Sequence, residues 1–296
     1  MFLRTTLLAA ALTCASLHAQ TVPAAIASDP PQDKAHPASM ETFQLPSHGE
    51  KLNAIVYVAA GPGPHGVVVL LHGFPGNEKN LDLAQAIRRS GWDVLWFNYR
   101  GSWGSPGSFS FTHAMEDTDA ALAYLRDPAN AQRLRSDPKN IVLIGHSMGG
   151  MITASVASRD PGVRAAGLIS AADMADRDLP AVKSGHAEAA VAPTARALAA
   201  EGIAPLAGCT PESLARNLIA NAVAWSIPAQ AAGLGARPVL IVSSDDGLAP
   251  SSNALAANLR AAKNTHVSTL HLATDHAYSD QRIALTAAVL NWLNTL

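Results

Sequence analysis

Cysteine is nearly absent from this chain: the 296 residues hold two, Cys14 and Cys209. Cys14 falls in an amino-terminal segment expected to be removed. Cys209 is then alone, an internal disulfide is excluded, and the fold must be held by its core. An excess of charge of either sign is also missing. The 21 Lys and Arg stand against 23 Asp and Glu, a formal net charge of −2. No basic cluster interrupts that balance, which excludes nucleic acid as the main partner. Beyond residue 20 there is no apolar run long enough to span a bilayer, so no stable membrane insertion is expected. The histidines and Cys209 form no His-x-x-x-His or cysteine-rich spacing, and neither a metal nor another cofactor is expected.

What is present divides along the chain. Residues 1–19 carry Arg4, an apolar stretch from Leu7 to Leu17 and the small Ala19, the pattern of a signal peptide. The protein is therefore expected to be exported, periplasmic or extracellular. Residues 20–40 place Pro23, Pro30, Pro31 and Pro37 among small polar residues and are expected to form a disordered lead-in. Residues 41–296 are long enough for one large core.

Within that core, strand patterns at 42–45, 53–59, 67–71 (continuously apolar), 92–99, 141–144, 163–169, 239–242 and 267–272 predict eight strands. Helical periodicity predicts helices over 81–89, 114–126, from Gly149 onward, and over 279–296. In the last of these Ile283, Leu285, Val289 and Trp292 are the expected inward face. Glu116, Asp117 and Asp119 read as favourable first-turn charges of the second. Strands alternating with helices imply an α/β class: a mostly parallel central sheet flanked by helices. One stretch, about 171–236, breaks the alternation. It holds Ala-rich helical segments and the helix start Thr210-Pro211, and is expected to be an inserted helical cap.

The most informative ten residues are Ile-Val-Leu-Ile-Gly-His-Ser-Met-Gly-Gly at 141–150. A buried strand breaking into Gly-x-Ser-x-Gly is the sequence form of a nucleophile elbow, with Ser147 at its tip. A serine hydroxyl is a weak nucleophile, so Ser147 needs a base and a group that orients the base. Both stand downstream, each just past the end of a strand. Asp246 lies in Ser243-Ser244-Asp245-Asp246-Gly247, and His276 in Thr274-Asp275-His276-Ala277. His146 leaves the elbow from the wrong position to act as base, and His266 and His271 bracket a strand.

With these motifs the chain resembles the α/β-hydrolase superfamily, from about residue 42 to the end. The resemblance implies that Ser147 is the nucleophile, His276 the general base and then acid, and Asp246 the orienting carboxylate. The Asp-x-x-x-Pro spacing from Asp246 to Pro250 favours it over Asp245. It also implies an oxyanion hole from the backbone N–H groups of Met148 and Phe74, the latter in His72-Gly73-Phe74-Pro75-Gly76, with His72 supporting the loop. The expected activity is hydrolysis of a carboxylic ester through an acyl-enzyme, on a small-molecule ester or amide substrate. His146 before the serine is similar to esterases and lipases. Two alternatives remain open at this point: a prolyl-oligopeptidase-like serine peptidase or amidase, and a non-catalytic binding protein on a retained hydrolase fold. The loop 99–105 reads equally as a lining of the pocket mouth and as a flexible glycine-serine loop. Trp225 and Met174 read equally as acyl-chain contacts and as packing of the cap on the core.

Overall fold

Each of the eight predicted strands is present. The structure, a computed structural model, describes residues 22–296. In chain order the strands are β1 (Ser39–Ser47), β2 (Glu50–Val58), β3 (His65–Leu71), β4 (Asp93–Phe97), β5 (Ser136–His146), β6 (Val163–Ile169), β7 (Val239–Ser243) and β8 (Val267–His271). The helices are α1 (Ala24–Ala27), α2 (Leu81–Arg89), α3 (Phe111–Arg126), α4 (Pro128–Leu134), α5 (Met148–Arg159), α6 (Leu179–Lys183), α7 (Ala187–Ala200), α8 (Pro211–Trp225), α9 (Ala231–Leu234), α10 (Ala249–Ala261) and α11 (Arg282–Leu293).

The strands form one sheet in the order β1-β2-β4-β3-β5-β6-β7-β8. β1 pairs antiparallel with β2, and β2 antiparallel with β4. From β4 through β8 every pairing is parallel. Parallel strands need crossover connections, and helices supply most of these on both faces, so the inner strands lose both faces to the core. That is why β3, β4, β5 and β7 read as continuous apolar runs and not as alternating ones. One core layer joins the sheet to residues of α3, α5, α8 and α10. The other joins it to α2 and α11 through Leu83, Ile87, Leu285, Val289 and Trp292.

Several expectations are corrected. Helix α3 starts at Phe111, three residues before its expected start, because Ser110 caps it by accepting the His113 N–H at 3.0 Å. Glu116, Asp117 and Asp119 therefore lie outside its first turn, which holds no acid. Ile283 is 64% exposed and does not belong to the inward face of α11, whereas Leu285, Val289 and Trp292 do. Within the lead-in expected over 20–40, the described part is tied to the core at α1. The Arg89 guanidinium donates to the carbonyls of Ala25 and Ile26, Ala25 and Ile26 pack beside α2 and α11, and β1 begins at Ser39. The expected signal peptide, 1–19, lies outside the described residues. No helix among the described residues is long and apolar enough to cross a membrane.

Between β6 and β7 the chain runs through α6, α7, α8 and α9 with no strand. Thr210 begins α8 with a capping box to Ser213, and Pro211 takes the first helical position, where its missing N–H costs nothing. The segment before α8 is pinned to the β4–α3 loop by backbone hydrogen bonds from Trp103 N–H to Pro205, Phe109 N–H to Ala207, and Ala207 N–H to Gly101.

Candidate active site

The site gathers at the carboxyl ends of the parallel strands. Ser147 follows β5 and precedes α5, with φ 58° and ψ −124°. A non-glycine residue there carries strain of about 1–3 kcal/mol, sustained only where the surroundings fix it. They do so here. The Ser147 N–H donates to the Ile169 carbonyl at 3.0 Å, and the N–H groups of Gly150 and Ala172 donate to the Ser147 carbonyl. The glycines of the motif are required by close approach. A Cβ on Gly145 would strike the Gly149 carbonyl, and one on Gly149 would strike that of Leu71. Across the cleft a Cβ on Gly73 would lie 2.8 Å from Ser147 Cβ, so the loop after β3 passes directly over the serine.

Ser147 lines a cleft of about 330 Å³ together with Gly73, Phe74, His146, His276 and Glu201, which follows α7. A larger cavity of about 500 Å³, between residues 29–38 and Arg88, has no serine, cysteine or histidine in its lining. His276 follows β8, and its Nδ1 lies 2.7 Å from Asp246 Oδ2. Asp246 follows β7, and its Oδ1 accepts the Leu248 N–H at 2.9 Å. Burial works to raise the Asp246 pKa, but His276, the Leu248 N–H and the Ser170 and Ser244 hydroxyls outweigh it and hold the carboxyl well below its ordinary range. Asp245, one residue earlier, is exposed and faces away to His271 Nε2 at 3.0 Å. The structure thus brings Ser147 and His276 into one cleft and joins His276 to Asp246.

The two expected backbone donors follow different strands, β5 and β3. Met148 is the first residue of α5, so its N–H has no partner within the helix. Phe74 lies in the loop after β3, its ring 5.5 Å from Phe111 and 5.9 Å from Phe109. That loop is tied down by side chains. His72 is buried, with Nδ1 2.9 Å from the Gly73 carbonyl, and burial pushes its pKa down to about 4. Trp103 donates its indole N–H to the Pro75 carbonyl at 2.7 Å, and Lys79 Nζ stands 4.2 Å above the Trp103 ring.

Four features escape sequence reasoning. Trp103 links the loop after β3 to the helical insertion, since its backbone N–H bonds Pro205 while its ring holds Pro75. His146 packs against His276. Ser170, Ser244 and Tyr278 form a buried hydroxyl cluster beside Asp246, with Ser170 Oγ 2.8 Å from both Ser244 Oγ and Tyr278 Oη. Arg100 is buried and pairs with Asp117 at 2.6 Å and with Glu116, so the 99–105 loop is fastened to α3 and is not a free flap. A signal existed only for the last, an arginine and a run of acids near one another in sequence. Met174 and Trp225 are partly buried against the core cluster, in the packing position.

A family model described as the alpha/beta hydrolase fold matches residues 66–230, more than half of the chain. The chain belongs to the α/β-hydrolase fold family. No curated protein matches it. Among solved structures this hydrolase-fold chain is similar to EstE1, a thermophilic carboxylesterase cloned from a metagenomic library. Identity there is 21% over 86% of this chain and 89% of that one, with a TM-score of 0.61. It is similar as well to the hyperthermophilic esterase of the archaeon Pyrobaculum calidifontis, at 18% identity over 88% of each chain and a TM-score of 0.63. For Est1E from Butyrivibrio proteoclasticus the values are 18% identity, 86% of this chain, 98% of that chain and a TM-score of 0.60. At such identities the likeness is one of fold.

Proposed function

We propose that this protein is an exported serine hydrolase that cleaves carboxylic esters through an acyl-enzyme. The observation that carries the reading is the bonding of His276 Nδ1 to Asp246 in a cleft that also holds the strained Ser147. With Nδ1–H donating to an ionised Asp246, the free Nε2 of His276 is the lone pair available to a proton.

Ser147 Oγ bonds to the ester carbonyl carbon as its proton passes to His276 Nε2. The carbonyl electron pair moves onto oxygen, where the Phe74 and Met148 N–H groups receive it; one such donor is worth about 3 kcal/mol in the transition state. Collapse breaks the carbon–oxygen bond to the alcohol, which takes the proton back from His276. Water then attacks the Ser147 ester with His276 as base, the acid leaves, and Ser147 regains its proton. Asp246 stays ionised throughout, and its low pKa fits that part.

The export reading rests on residues 1–19 alone. The substrate class is tested with aryl esters of increasing acyl length beside aminoacyl and prolyl amides. Turnover of the esters with little amide cleavage is expected. Preferential amide cleavage would replace the esterase reading with the peptidase one.

A further inference from the structure

His146 occupies the variable position before the nucleophile, yet its environment is highly specified. It is 3% exposed, on the same strand end as Ser147. Its Nε2 lies 2.8 Å from the backbone carbonyl of His276, and the two imidazole rings are 4.6 Å apart with 35° between their planes. The ring of Tyr278, two residues beyond the base and fully buried, meets His146 edge-on at 6.5 Å. His276 itself is part-exposed and sits on a turn after β8, so its backbone is not held by the sheet ladder.

A carbonyl can only accept, so the proton on His146 must be at Nε2. That leaves Nδ1 as a bare lone pair, and Nδ1 is a buried atom with no partner. The opposite tautomer would bury an unpaired N–H and leave two acceptors facing each other, a more costly arrangement. A second proton at Nδ1 would bury a charge beside a base that becomes cationic in every turnover.

We propose that His146 is the positioning residue of the base: a permanently neutral imidazole that fixes His276 by donating from Nε2 to its carbonyl and by packing against its ring. This rests on the proposed role of His276. Asp246 orients the ring from the Nδ1 side, but a single hydrogen bond leaves the main chain carrying the ring free to shift. His146 closes that freedom from below. Because its neutral form is enforced by burial, which pushes its pKa down to about 4, with His276 adding to the shift, the anchor keeps its single donor while His276 takes up and releases the catalytic proton. The charged groups facing this pair are Asp246, Arg282, whose Nη1 donates to the Ala277 carbonyl, and the cleft-lining carboxylates Glu78, Asp275 and Glu201.

The test pairs two variants. His146→Phe keeps a buried ring and loses the donor, whereas His146→Gln keeps an N–H near the Nε2 position and loses the ring. With an ester that the wild type turns over, His146→Phe is expected to lose about tenfold to hundredfold in kcat at nearly constant KM, the scale of a sub-ångström to ångström misplacement of a reacting group. His146→Gln is expected to recover to within about threefold. Equal kcat in wild type and His146→Phe overturns the proposal, as does a loss in His146→Gln as large as in His146→Phe. If His146→Phe does not fold, the wild-type protein decides. By 15N imidazole shifts, His146 should remain the neutral Nε2–H tautomer from pH 8 to pH 5, and a His146 that protonates in that range contradicts the proposal. Failure of wild-type ester turnover would instead strike the hydrolase reading itself.

Discussion

At the residue scale the proposed site depends on which of two adjacent carboxylates meets His276. Asp246 does so at 2.7 Å, while Asp245 turns outward to His271. Asp246→Asn is expected to keep the fold and to lower kcat by about 10⁴, because the amide favours the wrong imidazole tautomer. Asp245→Asn should leave ester turnover within about twofold, since it removes only an exposed pair of small worth. Steady-state kinetics of the two purified variants check both outcomes. These residues were legible in the sequence because each stands where an apolar run ends, and strand ends in a parallel sheet converge. His146 and Trp103 were not. Their roles come from what faces them across the fold, His276 from 130 residues away and Pro75 from the neighbouring loop, and no local pattern encodes that.

At the scale of elements, the apolar runs carried the sheet. Strands buried on both faces must be continuously apolar, so inner strands such as β3 and β7 showed plainly, although β5 extends well beyond the four residues expected of it. Short or cap-dependent elements were harder to read. Helix α4 is seven residues long, and the one sign of it, Asp127 before Pro128, is shared with many turns; here the Asp127 side chain does accept from the N–H groups of Ala129 and Asn130. The start of α3 turned on Ser110 as its cap. Misplacing it hid the part that Asp117 plays, for Asp117 is fully buried and binds the Arg100 side chain, the Arg100 N–H and the Ser47 hydroxyl. That cluster ties β1, α3 and the loop after β4 together. Asp117→Ala would strand a buried guanidinium, and a loss of about 3–5 kcal/mol in unfolding free energy is expected by denaturant titration. A loss under about 1 kcal/mol would mean that Glu116 alone suffices for Arg100.

Over the whole molecule, one buried acid sets a pH dependence far from the cleft. Asp93, at the start of β4, has no exposed surface. One of its oxygens accepts the Ala59 N–H at 2.8 Å, and the other is unpartnered. Burial, against the weaker pull of that N–H and of Arg135, pushes its pKa up to about 7. The folded state therefore holds this proton more tightly than the unfolded chain. The contribution is fully present below the unfolded value near 4 and is lost as pH rises through about 7. Asp93→Asn keeps an acceptor for Ala59 and cannot ionise. It should raise the Tm at pH 8 relative to wild type, with a much smaller difference at pH 5; an equal shift at both would show that Asp93 is not the titrating group. The overall architecture was legible because alternating strands and helices admit few topologies. The helical insertion was legible as an interruption, but its attachment through Trp103, Phe109 and Ala207 was not, since backbone hydrogen bonds between loops leave no mark on composition.

The account as a whole turns on Ser147 as a nucleophile. The most direct measurement is intact-protein mass spectrometry after exposure to a fluorophosphonate, followed by mapping of the modified peptide. The account predicts one phosphonyl adduct per chain, on Ser147, with no adduct on a folded Ser147→Ala protein. A folded wild-type protein that takes up no label, or one labelled equally after Ser147→Ala, would contradict it.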